Sequence, residues 1–162
     1  MLEKKHEHIV QLCDAPSTLS REQVWEGLIY FFKHPDKLLP YLEEVDIFEQ
    51  KNQNNDLILL RTLNFGPFKV EDRIECVGQE RIQALIKPSE QIPESSQEIK
   101  IEEPVTGSIF LRFSYYEDPE RSIDKQYPEG VPLRRKAWEE KDKVLAQSII
   151  EMANHGLFNT KH

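Results

Sequence analysis

The sequence is short of positive charge, glycine, cysteine and long apolar runs, and each shortage removes a class of protein. Lys and Arg number 21 against 29 Asp and Glu, for a formal net charge of −8. A nucleic-acid backbone or an anionic membrane surface is held by clustered Lys and Arg, so neither partner is expected. No apolar run approaches the ~20 residues of a membrane-spanning helix, so stable membrane insertion is not expected either. The opening residues, MLEKKHEHIV, lack the apolar stretch and small-residue cleavage site of a secretory signal. Cys13 and Cys76 stand in no metal or redox spacing, which reads as a cytoplasmic protein with two reduced thiols. The 6 glycines form no nucleotide-binding loop, and no zinc spacing or Ser-His-acid signature is present, so no cofactor is expected.

What remains is a chain of 162 residues with 38% apolar and 31% charged content, expected to fold as a single domain over 1–162. HEHIVQLCDA (6–15) reads as a strand. LSREQVWEGLIYFFKHP then carries a complete helix start: Ser20 as cap, Gln23 to close the capping box, and Leu19 and Val24 as staple residues. PDKLLPYL reads as a second short helix. EVDIFEQ, DLILLRTLNF, PFKVEDRIECV, ERIQALIKP, EIKIEEP and GSIFLRFSYYED are strand-like pieces with short connections, which favours an antiparallel meander. Residues 88–97 read as a polar loop and 118–135, with three prolines, as a long loop. The chain closes on a helix of about 20 residues, ~30 Å long, with Trp138, Leu145, Ile149 and Met152 on its apolar face and Gly156 as its left-handed cap, before Leu157 and Phe158 fold back.

One hairpin stands out. Counting outward from Gly66-Pro67, Phe65 pairs with Phe68, Leu63 with Val70 and Arg61 with Asp72, while Leu59, Ile74 and Cys76 continue the same face. Two opposite charges thus fall at one level of an apolar face. Directly opposed Cβ atoms are about 5 Å apart, within reach of an ion pair, and burial of either charge alone would be very costly. The pair reads either as a structural tie or as a donor fork for a polar ligand group. A lone acid, Glu103, follows Ile99 and Ile101, and Tyr115 continues the row Ile109, Leu111, Phe113. His6 and His8 share a strand face, but no third ligand is evident and no metal site is expected.

Strand, two helices, six strands and a long helix, together with LSREQVWEGLIYFFKHPDKLLPYLEEVDIFEQ, IEEPVTGSIFLRFSYYED and AQSIIEMANHGLF, resemble the SRPBCC superfamily (START, birch-pollen allergen and polyketide cyclase), in its AtaL-like branch. The resemblance implies an α+β helix-grip fold, in which a curved antiparallel sheet of about seven strands wraps a long C-terminal helix. It also implies a cavity between sheet and helix that binds a small hydrophobic or amphipathic ligand. On that expectation the lining is Leu59, Leu63, Val70, Ile74, Leu111, Phe113, Tyr115, Leu145 and Ile149, with Arg61 and Asp72 as the polar anchor and the 88–97 and 118–135 loops as lips. The superfamily also contains cyclases, hydrolases and chaperone regulators; the alternative expectations are a cyclase- or hydratase-like enzyme, with Asp72, Glu103 and Tyr115 as acid or base candidates, and a chaperone co-regulator or other protein-interaction module. No feature of the sequence sets the oligomeric state.

Overall fold

A computed structural model describes residues 1–156. Among these, seven strands form one antiparallel sheet in the order β1-β7-β6-β5-β4-β3-β2. They are β1 Glu3–Cys13, β2 Glu44–Lys51, β3 Leu57–Asn64, β4 Lys69–Val77, β5 Arg81–Ile86, β6 Ser95–Val105 and β7 Ser108–Glu117. Strands β2 to β7 form a meander joined by short turns, as the alternation of apolar residues and turn signals demands. The first strand closes onto the last, so β1 and β2 occupy opposite edges of the sheet.

That placement forces the chain between Cys13 and Glu44 to cross the sheet. Six inter-strand gaps of about 4.8 Å make a flat width of roughly 29 Å. Helix α1, Arg21–Lys33, covers about 20 Å of the crossing. It starts where the sequence says it should: Gln23 N–H donates to Ser20 Oγ, and Ser20 N–H donates to the Gln23 side chain at 2.9 Å. Val24, Trp25, Leu28 and Phe31 are its buried face. His34 ends it, and a short 3-10 turn at Pro35–Lys37 stands where a second helix is expected.

Helix α3, Val131–Asn154, lies across the concave side of the sheet. Leu145, Ala146 and Ile149 pack there with Leu28, Leu59, Ile74, Leu111 and Phe113 in one apolar core. Gly156 follows in the left-handed conformation (φ 81°), and Leu157 and Phe158 lie outside the described residues. The helix is 24 residues long because it begins earlier than expected. The 118–135 segment is not one loop: it holds helix α2, Ile123–Gln126, a 3-10 turn at Pro128–Gly130 and the start of α3. Two of its three prolines, Pro128 and Pro132, sit in the first turns of helical pieces, where a missing N–H costs nothing, and Pro119 stands in a turn. Ser122 caps α2 by accepting from Asp124 N–H. The 88–97 loop is also shorter than expected, since Ser95–Gln97 pair with β5 and β7.

Two sharp turns depend on glycine. Gly66 (φ 95°) opens the β3–β4 hairpin, and its neighbours Phe65 and Phe68 stack with ring centroids 5.2 Å apart. Gly107 (φ 91°) turns β6 into β7 just after a register shift at Pro104, which lets a proline stand in an inner strand. A Cβ on Gly107 would meet the Cβ of Ala15 at 3.0 Å, so both backbone conformation and space exclude a side chain. Gly107→Ala is expected to lower unfolding free energy by about 1–2 kcal/mol in urea titration. An unchanged midpoint would show that neither constraint operates.

Candidate functional site

Arg61 and Asp72 are opposed in register, as the hairpin count predicts. Arg61 Nε donates to Asp72 Oδ1 at 2.8 Å and Nη2 to Oδ2 at 2.6 Å, a bidentate pair with both residues buried. The remaining terminal nitrogen, Nη1, donates at 3.0 Å to the carbonyl of Phe32, and the guanidinium lies over the Phe32 ring at 5.3 Å. Phe32 is in the last turn of α1, where carbonyls lack helical partners. The sheet's buried cation therefore fastens the end of the crossing helix.

The space beside that fastening is a cavity of about 140 Å³. Phe31 and Phe32 of α1, Pro35, Leu38 and Leu39 after it, Ile99 of β6 and Leu145 of α3 supply its apolar wall. Its polar lining is Arg61, Gln97, Lys141 and Asp142. A wider depression of about 700 Å³ lies mainly against the outer face of β2–β5, beside Phe48, Leu60, Arg73 and Leu85. No residue of α3 lines it, and the buried charges that it touches, Arg61 and Asp72, are paired with each other, so the smaller cavity is the candidate site.

The expected lining residues divide sharply. Arg61 and Leu145 reach the cavity. Leu59, Ile74, Leu111, Phe113 and Ile149 have no exposed surface and pack directly against one another and the helices, which leaves no void at mid-sheet. Leu63 is buried and Val70 half-buried near the Gly66 end of the hairpin. Asp72 is bound to Arg61. Glu103 accepts from the Gly107 N–H at 2.8 Å and closes the β6–β7 turn instead of facing the cavity.

Tyr115 leads to the feature that sequence reading missed. Its hydroxyl donates to Asp142, at 2.6 Å from Oδ2 and 2.8 Å from Oδ1, and accepts from Gln97 Nε2 at 3.0 Å. Asp142 is almost wholly buried, and His8 Nε2 lies 2.7 Å from its Oδ2. One turn away His6 Nε2 is 2.7 Å from Glu139, and the two imidazoles stack at 5.5 Å. The paired histidines of β1 thus hold carboxylates of α3, and among the described residues no group of three metal-ligating side chains forms. Trp138 stacks on the Tyr115 ring at 4.5 Å, and the Lys141 ammonium lies 5.3 Å from the centre of that ring. Burial pushes the Asp142 carboxyl above its usual value, against the opposing pull of Lys141, Tyr115 and His8. Burial and the Asp142 charge together push the Tyr115 hydroxyl far above its own. Cys76 is a core residue whose thiol burial pushes up to about 11. A signal for Asp142 was present: it falls on the stripe Trp138, Leu145, Ile149 as its one acid.

The two loops expected as lips are joined. Arg121 donates to the carbonyls of Ile92 and Glu90, and Asp118 N–H to that of Glu94. Arg134 of α3 then binds Glu117 and Asp124 while stacking on Trp138 at 4.5 Å. No helix among the described residues is long and apolar enough to cross a membrane.

A family model described as acetylaranotin biosynthesis cluster protein L (AtaL) matches residues 8–156. Solved structures share the fold at low identity. The di-domain aromatase/cyclase StfQ of the steffimycin pathway is 12% identical with a TM-score of 0.62; the match covers 93% of this chain and 52% of that one, so the chain spans about half its length. Ara h 8.0201 is 11% identical at TM-score 0.62, over 93% of this chain and 99% of that one. Norcoclaurine synthase of Thalictrum flavum is 16% identical at TM-score 0.59, over 94% and 98%. No curated protein sequence matches.

Two predictions test the electrostatics. Asp72→Leu, which strands a buried guanidinium, is expected to cost about 3–5 kcal/mol in chemical denaturation. Adding Arg61→Met is expected to recover a large part of that loss; no recovery in the double variant would argue against a coupled pair. Asp142 titrates in the opposite sense to a salt-bridged acid. Its raised native pKa means that the folded state keeps a proton the unfolded chain releases near pH 3.9, with His8, Tyr115 and Lys141 facing it. Its contribution is therefore most favourable below about pH 4 and declines as pH rises through the native pKa. The stability difference between wild type and Asp142→Asn should move in the variant's favour as pH rises above about 4. A difference that is flat or moves the other way would contradict the assignment.

Proposed function

The chain belongs to the AtaL family, and on that premise we propose that it binds a small, mainly apolar molecule in the cavity bounded by the sheet, α1 and α3. The observation that carries this reading is the wall itself: seven apolar side chains against four polar ones. Ligand pockets have that composition, with a few polar groups to fix orientation. At about 140 Å³ the space suits one ring, since an apolar cavity of about 150 Å³ accommodates benzene. The polar lining suits a ligand with a single oxygen-bearing group. The aromatase/cyclase and norcoclaurine synthase named above share this fold and are named as enzymes, whereas Ara h 8.0201 is not, so the fold alone does not choose between binding and chemistry.

A second reading, chemistry on the bound molecule, is favoured by one specific observation. The acid candidates Asp72 and Glu103 are held by Arg61 and Gly107, but Asp142 meets the cavity with a raised pKa and a tyrosine hydroxyl in contact. Such a group holds its proton to a higher pH than a free aspartate does, as a general acid or base requires.

Benzyl alcohol is expected to bind saturably when followed by protein chemical-shift changes, centred on Phe31, Leu38 and Leu145. Leu145→Trp, which places an indole in the cavity, should weaken that binding at least about tenfold with the circular dichroism spectrum intact. Ring-sized probes that do not bind wild type, or that bind the filled variant equally well, would exclude this cavity as the site.

A further inference from the structure

Arg61 donates twice to Asp72 and once to Phe32, so the cavity's guanidinium is neutralised by its own partner. The other cation is different. Among the described residues Lys141 has no carboxylate at ion-pair distance and no hydrogen bond; its ammonium has the Tyr115 ring beside it. The residue keeps much of its accessible surface and is one of the residues that line the cavity. Next to it in sequence, and also lining the cavity, is the buried Asp142 carboxyl with the Tyr115 hydroxyl hydrogen-bonded to it. An amine outside any close ion pair, an apolar ring-sized space and a carboxyl group to relay protons are the three components of a carbonyl-capturing site.

Resting on the binding function proposed above, we infer that Lys141 forms an imine with a small aldehyde or ketone held in the cavity, Asp142 serving as its proton relay. The neutral Lys141 nitrogen adds to the carbonyl carbon, and the carbonyl oxygen takes a proton to give a carbinolamine. That hydroxyl leaves as water as the C=N bond forms, with Asp142 supplying the proton and recovering one from the nitrogen. No oxidant or reductant enters. Desolvation lowers the Lys141 pKa, and each unit of lowering raises the fraction of reactive free amine about tenfold at neutral pH. The class of ligand is therefore a compact, largely apolar carbonyl compound of about one ring.

The test is reductive trapping. The full chain is incubated at pH 7 with limiting benzaldehyde and sodium cyanoborohydride, and benzylated lysines are located by peptide mass spectrometry. Benzylation of Lys141 is expected to exceed that of any other lysine about tenfold, to be suppressed by excess benzyl alcohol, and to fall in Asp142→Asn. Lys141→Met should remove the site-specific product with the circular dichroism spectrum intact, which shows that the variant is folded. Labelling spread over the lysines without preference for Lys141, with benzyl alcohol still bound, would overturn the imine and leave the binding function standing. Failure of both trapping and benzyl alcohol binding would overturn the two together.

Discussion

A buried guanidinium must satisfy its donors, and the partners that Arg61 finds decide where this molecule has room. Two of its bonds stay within the sheet, on Asp72. The third leaves the sheet for the carbonyl of Phe32, at the end of the helix that crosses from one sheet edge to the other. An apolar residue at position 61 could pack against α1, but it would supply no directed contact to a helix end whose carbonyls need donors. The polar tie therefore sets how α1 meets β3. The cavity occupies the angle left between that end of α1, the segment through Leu39 and the facing turn of α3.

The second buried polar cluster fixes the other wall by the same rule. Asp142 would be costly on an apolar helix face without partners, and it receives two, one from β1 and one from β7. His8 and Tyr115 belong to adjacent strands, so one carboxylate locates α3 against both. Among the described residues no buried side-chain nitrogen or oxygen lacks a partner. Polar contacts of fixed geometry frame the cavity at both ends, while the apolar core between them is solid.

The hairpin around Gly66 was legible to the residue, because a two-residue connection and a period of two leave a single register. Helix α1 was equally legible from Ser20 and Gln23, whose contacts are local. What sequence missed depends on approach between distant elements. Leu59, Ile74 and Phe113 look the same whether they line a void or fill a core, and the volumes of α1 and α3 side chains decide which. Three prolines made 118–135 look irregular, yet the segment is organised by Arg121 and Arg134 reaching chain far from them. The acid on the α3 stripe carried the same kind of anomaly as Arg61 and Asp72. It was hidden because its partners, His8 and Tyr115, are more than a hundred and nearly thirty positions away.

Arg121 reaches its neighbouring loop only through the carbonyls of Glu90 and Ile92. Backbone acceptors are present whichever amino acid occupies those positions, so this clasp constrains the path of the chain and leaves its spelling open. The 88–94 loop can accumulate substitutions while remaining docked to the entrance of α3. That gives evolution a surface whose chemistry is adjustable at little structural cost, beside an interior whose polar positions are each answerable to a partner.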